Sequence, residues 1–293
     1  MLIKDICQET GLTKKAVEYY QQKGLISPEI RENGYRYFSQ GDVEKLKKIA
    51  LLRKFDLSIE EISKVLCSQS PNTVLREIKY QKEIEHNNEK KKLELLEGLI
   101  QGEDRETIES GLNRLFEQST IKQRLLNIFP GYYGRFISIH FGQFLNIELE
   151  REEQKEAYQI IVTFLDEVES FVIPTDLQNI IDTVTSTIDD ADVYKLSSGW
   201  TNAVNDFDTY YNENQEILEQ YIEYKKTKEY RESDAARLME LFRKFGETSG
   251  YYDVFIPAMR KLSPIYNDYY EKLLETNERL IAKHPEIQDW YQR

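Results

Sequence analysis

Gly11-Leu12-Thr13-Lys14-Lys15-Ala16-Val17-Glu18-Tyr19-Tyr20, with Lys23-Gly24-Leu25-Ile26 close behind, is the stretch on which the fold turns. Residues 2–9 read as a short helix that Gly11 stops, and Thr13 is placed to cap a second helix that ends at Gly24. Two short helices joined by a tight glycine turn form a helix-turn-helix. Downstream, Ser27-Pro28-Glu29-Ile30-Arg31-Glu32-Asn33-Gly34-Tyr35-Arg36-Tyr37-Phe38 sets Asn-Gly between aromatic and β-branched residues, the strongest short-range hairpin signal, and reads as a β-wing. Ser39 with Asp42, and Ser58 with Glu61, are acidic capping boxes. They open helices whose apolar stripes run Val43, Leu46, Ile49, Ala50 and Ile59, Ile62, Val65, Leu66. The sum is a winged helix-turn-helix over residues 1–70.

Residues 2–67 resemble, in order and spacing, the DNA-binding domain of the MerR family of bacterial transcriptional regulators. The matching motifs are those at 11–20, 23–26, 31–38 and Leu57-Ser58-Ile59-Glu60-Glu61-Ile62. The resemblance implies a homodimer that binds promoter DNA, distorts it, and so acts indirectly on RNA polymerase. It puts Thr13, Lys14, Lys15, Val17 and Glu18 on the recognition helix and matches Tyr20 to a backbone-contacting tyrosine. Arg36 matches the wing arginine that meets phosphate, with Arg31, Asn33 and Tyr35 in the same wing. Glu18 departs from the pattern, because most members carry arginine before the aromatic pair; a glutamate cannot neutralise phosphate but can accept from cytosine N4. Tyr19 and Tyr20 lie about 100° apart on a helix, so one is expected toward DNA and the other against Leu12 and Leu25.

The chain has 293 residues, and its net charge of −13 alone argues against nucleic acid. The charge is unevenly spread. Residues 1–80 hold 14 Lys/Arg against 11 Asp/Glu, a balance of +3; residues 81–100 stand at −1, and 101–293 hold 21 against 36, a balance of −15. Such asymmetry marks two tasks.

From residue 71 to 102 the sequence is polar and helical, long enough to reach about 45 Å. It reads as a coiled-coil dimerisation helix, with Gln81, Glu85 and Asn88 as imperfections in the seam, and the resemblance favours pairing at this place. Residues 103–293 carry helical spacing, as in Tyr158, Ile161, Val162, Leu165, with breaks expected near 129–131, 173–174, 198–199, 246–250, 264 and 285. The fold class is therefore mainly α, with a small β-hairpin wing and an all-α C-terminal effector domain.

That domain holds 28 aromatic residues. Aromatic faces beside carboxylates suit planar, drug-like or cationic ligands, the basis for expecting a multidrug-type small-molecule effector. Tyr132, Tyr133, His140, Phe141 and Phe144, with Trp200, Tyr210 and Tyr211, are the candidate ligand-binding residues; the alternative is a domain that binds a protein partner. Asp189-Asp190-Ala191-Asp192 lacks the glycine and glutamate of a calcium loop and reads as a solvated acidic turn. GxxxxGK[ST], GxGxxG, HExxH and GxSxG motifs are absent, so an enzyme is not expected and no cofactor is implied. No cysteine follows Cys67, which leaves neither the thiolate metal-sensing nor the redox chemistry of the family. No apolar run approaches a membrane span, and the reading is a cytoplasmic protein with no membrane partner.

Overall fold

The computed structural model describes residues 1–31, 34–129 and 131–290, and divides into two compact units, Met1–Ile78 and Lys79–Arg293. It is mainly α, with one two-stranded antiparallel sheet.

The first unit begins with α1 (Ile3–Thr10) and α2 (Lys14–Gln22). Gly11 adopts φ +70°, the left-handed conformation that ends α1, and the Thr13 hydroxyl accepts from the Ala16 N–H at 3.2 Å to start α2. Strands β1 (Glu29–Ile30) and β2 (Arg36–Tyr37) pair with Ile30 opposite Arg36, and Gly34 sits at φ +76° in the turn. Helices α3 (Gln40–Arg53) and α4 (Ile59–Cys67) follow. Both capping boxes form: Ser39 and Asp42 exchange hydrogen bonds across the first turn of α3, as Ser58 and Glu61 do across that of α4. Ile6, Val17, Val43, Leu46, Ile49, Ile62 and Val65 are fully buried and make the core. Val74, Leu75 and Ile78, from the start of α5 (Pro71–Gln101), join that core.

Among the described residues, the second unit contains the rest of α5 and ten further α-helices. The first five are α6 (Arg105–Ile128), α7 (Gly131–Gly142), α8 (Glu152–Glu167), α9 (Thr175–Val184) and α10 (Asp190–Asn205). After them come α11 (Phe207–Lys226), α12 (Lys228–Arg231), α13 (Asp234–Thr248), α14 (Ile256–Leu262) and α15 (Pro264–Lys283). A π-helical turn, Tyr251–Phe255, links α13 to α14, and a 3₁₀ turn follows α15. Gly102, at φ +90°, ends α5, and the Asp104 carboxylate caps α6. The large core gathers Ile121, Leu125, Phe141, Ile161, Phe255, Met259 and Leu262 around α6, α7, α8 and α14.

Two expectations change. No break occurs at Ser198-Gly199: α10 runs through it, and a helix-interior glycine costs only about 1 kcal/mol, which packing of Val193 and Ser197 covers. The 71–102 segment is a helix, but it is not polar all round. Its residues Tyr80 and Ile84 pack with Phe136, Ile139 and Val193 in a third cluster, and only toward its end do Leu93, Leu96, Leu99 and Ile100 stand exposed.

Candidate functional site

Helix α2 divides cleanly by face. Lys14 and Lys15 are exposed and Tyr19 keeps 43% of its surface open, whereas Val17 is 0% and Tyr20 7% exposed within the core. Val17 and Tyr20, expected on the DNA side, are thus packing residues here. Their positions three apart on α2 share the face that joins the core of the first unit, where α2 packs on α1, and Tyr19 is the aromatic that looks outward. Thr13 spends its hydroxyl on the cap.

The wing meets this helix through charge. Arg36 Nη1 donates to Glu18 Oε1 at 3.3 Å, and Lys14 Nζ stands 4.0 Å from the same oxygen. Glu18, the residue that departs from the pattern expected above, therefore holds the wing cation against α2. The pair is half-exposed, so its strength is modest, at most about 1 kcal/mol, and a phosphate can displace it. Arg31 stacks its guanidinium 3.6 Å from the centre of the Tyr37 ring and lies 4.0 Å from a Glu29 carboxylate oxygen. Tyr35 is 64% exposed at the wing, and Asn33 lies outside the described residues. Lys14, Lys15, Glu18 and Arg36 are brought together as a polar surface whose cations can meet phosphates.

Of the eight aromatic candidates of the second unit, six are linked ring to ring through Phe136 of α7, and Tyr210 and Tyr211 lie on α11. His140, Phe141 and Phe144 pack against one another and against Tyr266 and Tyr269, with ring centres 5.0–5.6 Å apart. Phe141 and Phe144 are buried core residues. Tyr132 and Tyr133 make an edge contact at 5.4 Å, and Trp200, half-exposed, lies edge-on to Phe136 at 5.1 Å. Tyr211 bonds through its hydroxyl to His284 Nε2 at 2.9 Å, beside Phe207 and apart from the α7 rings; its neighbour Tyr210 is 39% exposed. None of the eight lines the cavities of 520, 510, 460 and 370 Å³ found in this unit. The rings fill each other's space, which is why helically spaced aromatics make a core here.

Burial pushes the His140 imidazole down to about 4, and its Nδ1 lies 3.4 Å from Ser197 Oγ. The ring is therefore neutral at pH 7, a core histidine.

Two charged arrangements escaped the sequence reading. Asp190, expected in a solvated turn, accepts from the buried Arg135 Nη1 at 2.7 Å and from Lys79 Nζ at 3.1 Å. Burial would raise the Asp190 carboxyl, but the hydrogen bonds from Arg135 and Lys79 outweigh it and hold the group below the usual range. The signal was present: Arg135 is the one arginine in the apolar run 131–142, and such a charge needs a buried partner. The second arrangement is the 510 Å³ cavity between α5, α6 and α10, with Lys91 and Lys122 in its lining. Helix periodicity on single elements has no means of finding it, since its walls come from three.

With this geometry in hand, comparison with known proteins is specific. A family model described as MerR HTH family regulatory protein matches residues 1–69. Residues of this chain are 37% identical over 67 positions to the HTH-type transcriptional regulator CueR of Salmonella typhi, covering 22% of this chain and 49% of that protein. The CueR of Escherichia coli O157:H7 is 40% identical over 62 residues, 21% of this chain and 46% of its own. The multidrug-efflux transporter 2 regulator of Bacillus subtilis (strain 168) is 33% identical over 89 residues, 30% of this chain and 32% of its own. The match thus spans about half the length of the CueR relatives and a third of the Bacillus protein. No solved structure matches. Proteins of the matched family bind promoter DNA, and none of the helices among the described residues is long and apolar enough to cross a membrane.

Proposed function

From a head, residues 1–69, that belongs to the MerR helix-turn-helix family of transcriptional regulators, we infer that the whole chain is a homodimeric, sequence-specific regulator in the cytoplasm. It acts by distorting promoter DNA so that RNA polymerase can engage it, and it responds to a small molecule held by the helical C-terminal unit. The carrying observation is the polar surface of α2 and the wing. Lys14, Lys15 and Tyr19 are presented by a capped helix, with Arg36 beside them and only a surface carboxylate holding it. Arg31 and Tyr35 extend that surface along the wing.

Pairing is supported by the end of α5, where Leu93, Leu96 and Ile100 repeat at helical spacing and are 65%, 52% and 71% exposed. An apolar stripe of this kind suits a coiled-coil seam, and two heads are needed for a two-fold symmetric operator. The Bacillus relative is named a multidrug-efflux regulator, which supports a small-molecule effector for this chain too.

The test is binding of the full chain to a selected inverted-repeat DNA, read by fluorescence anisotropy across a salt series. A two-to-one complex is expected, weakening steeply with salt, and K14A/K15A is expected to lower affinity for all sequences and to flatten the salt dependence by about two charges per head. Absence of sequence preference by any inverted repeat recovered from a random pool would refute the reading.

A further inference from the structure

The 510 Å³ cavity in the C-terminal unit runs along the inner face of α5, against α6 and α10. Tyr80 and Tyr194 form part of its wall, Asn87, Asn88 and Gln118 offer amides, and Lys91 and Lys122 contribute ammonium groups. Its size is that of a small-molecule site.

Its charge runs against its surroundings. Residues 101–293 carry a balance of −15, yet three lysines (Lys90, Lys91, Lys122) and His86 face this one concavity. The acids on the same wall are Glu83 and Glu94. Glu83 is already held by Lys79, and among the described residues neither Lys91 nor Lys122 has a carboxylate within ion-pair distance. Lys122 is also held in place. Its stem lies over Gly142 of α7, where an added Cβ would stand 2.6 Å from Cε and 3.3 Å from Nζ. Burial and the neighbouring Lys91 charge both push the Lys122 ammonium below the usual lysine range. A desolvated ammonium facing a like charge, with no counter-ion, is stabilised by an anion entering the cavity.

We propose that this cavity is the effector site, and that its ligand is an aromatic organic anion whose carboxylate or phosphate sits between Lys91 and Lys122 while its ring lies against Tyr80 and Tyr194. The proposal rests on the reading of the C-terminal unit as a sensor, and it replaces the lipophilic or cationic effector expected from the aromatic content. Tyr80 ties the site to neighbouring elements: its hydroxyl lies 3.4 Å from Ser138 of α7, and its ring packs with Phe136, Ile139 and Val193. A ligand against Tyr80 therefore acts on the α5 residues that this unit holds.

The experiment follows the melting temperature of the full chain, at constant ionic strength, with benzoate, indole-3-acetate, phenyl phosphate and inorganic phosphate as probes. Benzamide and benzyltrimethylammonium are the neutral and cationic controls. At tenfold excess over its Kd, at least one aromatic anion is expected to raise Tm by about 3–5 °C while the two controls do nothing. The carboxylate and phosphate arms identify the headgroup, and inorganic phosphate tests whether the ring contributes. K122M and K91M are each expected to weaken binding at least tenfold. K122M removes a desolvated charge, so it is expected to melt no lower than the parent, and a lost response is then not a folding failure. No shift from any of the four anions, an equal shift in K122M, or an equal shift from the controls overturns the proposal. DNA binding, measured separately by anisotropy, stands or falls independently of these outcomes.

Discussion

Glu18 is the residue where this head differs most tellingly from the pattern it matches. Its carboxylate accepts from Arg36 at 3.3 Å, so in the proposed DNA-binding reading the wing cation is already engaged in the free protein. Removing the charge frees that cation. E18Q is expected to tighten binding several-fold for all sequences and to steepen the salt dependence by about one charge per head, as read by anisotropy. Unchanged binding would mean that Arg36 does not compete between Glu18 and phosphate. His140 supplies a prediction of a different sort. Its folded pKa is pushed down to about 4 by burial, below the ordinary value of 6.5, so the unfolded state binds the proton more readily. Stability is then full above pH 6.5 and falls as pH drops toward 4, by up to about 3 kcal/mol. Urea denaturation at pH 7 and pH 5 is expected to show this loss, and H140Q to show much less of it.

At the scale of elements, the Arg135–Asp190 pair joins α7 to the first turn of α10, and Lys79 of α5 adds a second cation. Arg135 is 96% buried at the side chain, so removing its partner strands a charge. D190N is expected to cost about 3–5 kcal/mol in urea denaturation, whereas the double variant R135M/D190N recovers most of the loss, because a buried pair replaced by apolar groups is close to neutral. A D190N cost below about 1 kcal/mol would show that Arg135 reaches water on its own. The element-level reading from sequence did best where a local chemical device set the boundary: Thr13, Ser39 and Ser58 each cap the helix they announce. It failed at Ser198-Gly199, where a local breaker signal is overridden by burial of Val193 and Ser197 on the same helix.

For the molecule as a whole, the net charge of −13 conceals a basic head and an acidic helical unit, and each unit has its own core. The head was legible almost residue by residue. Its helices are short, its caps and turns are local, and its motifs stand in a contiguous run, so few long-range facts were needed. Even there the face of α2 needed the fold: one helical position separates Tyr19 from Tyr20, and only packing into the core of the first unit turned Val17 and Tyr20 inward. In the second unit the helical character was legible from periodicity, but the 510 Å³ cavity was not. Composition drew attention to the aromatic rings, and of these Phe141 and Phe144 fill the core while Trp200 and Tyr210 stay exposed. By itself, then, the sequence determined the winged helix-turn-helix, the partition of charge and the helical character of the remainder, because caps, glycine turns and apolar spacing act within a few residues. Tertiary structure alone decided that Asp190 neutralises Arg135 and that Lys91 and Lys122 share one cavity with no carboxylate, among the described residues, within ion-pair distance of either. Burial and charge proximity here depend on residues 31 or more positions apart in the chain, and no local pattern encodes them.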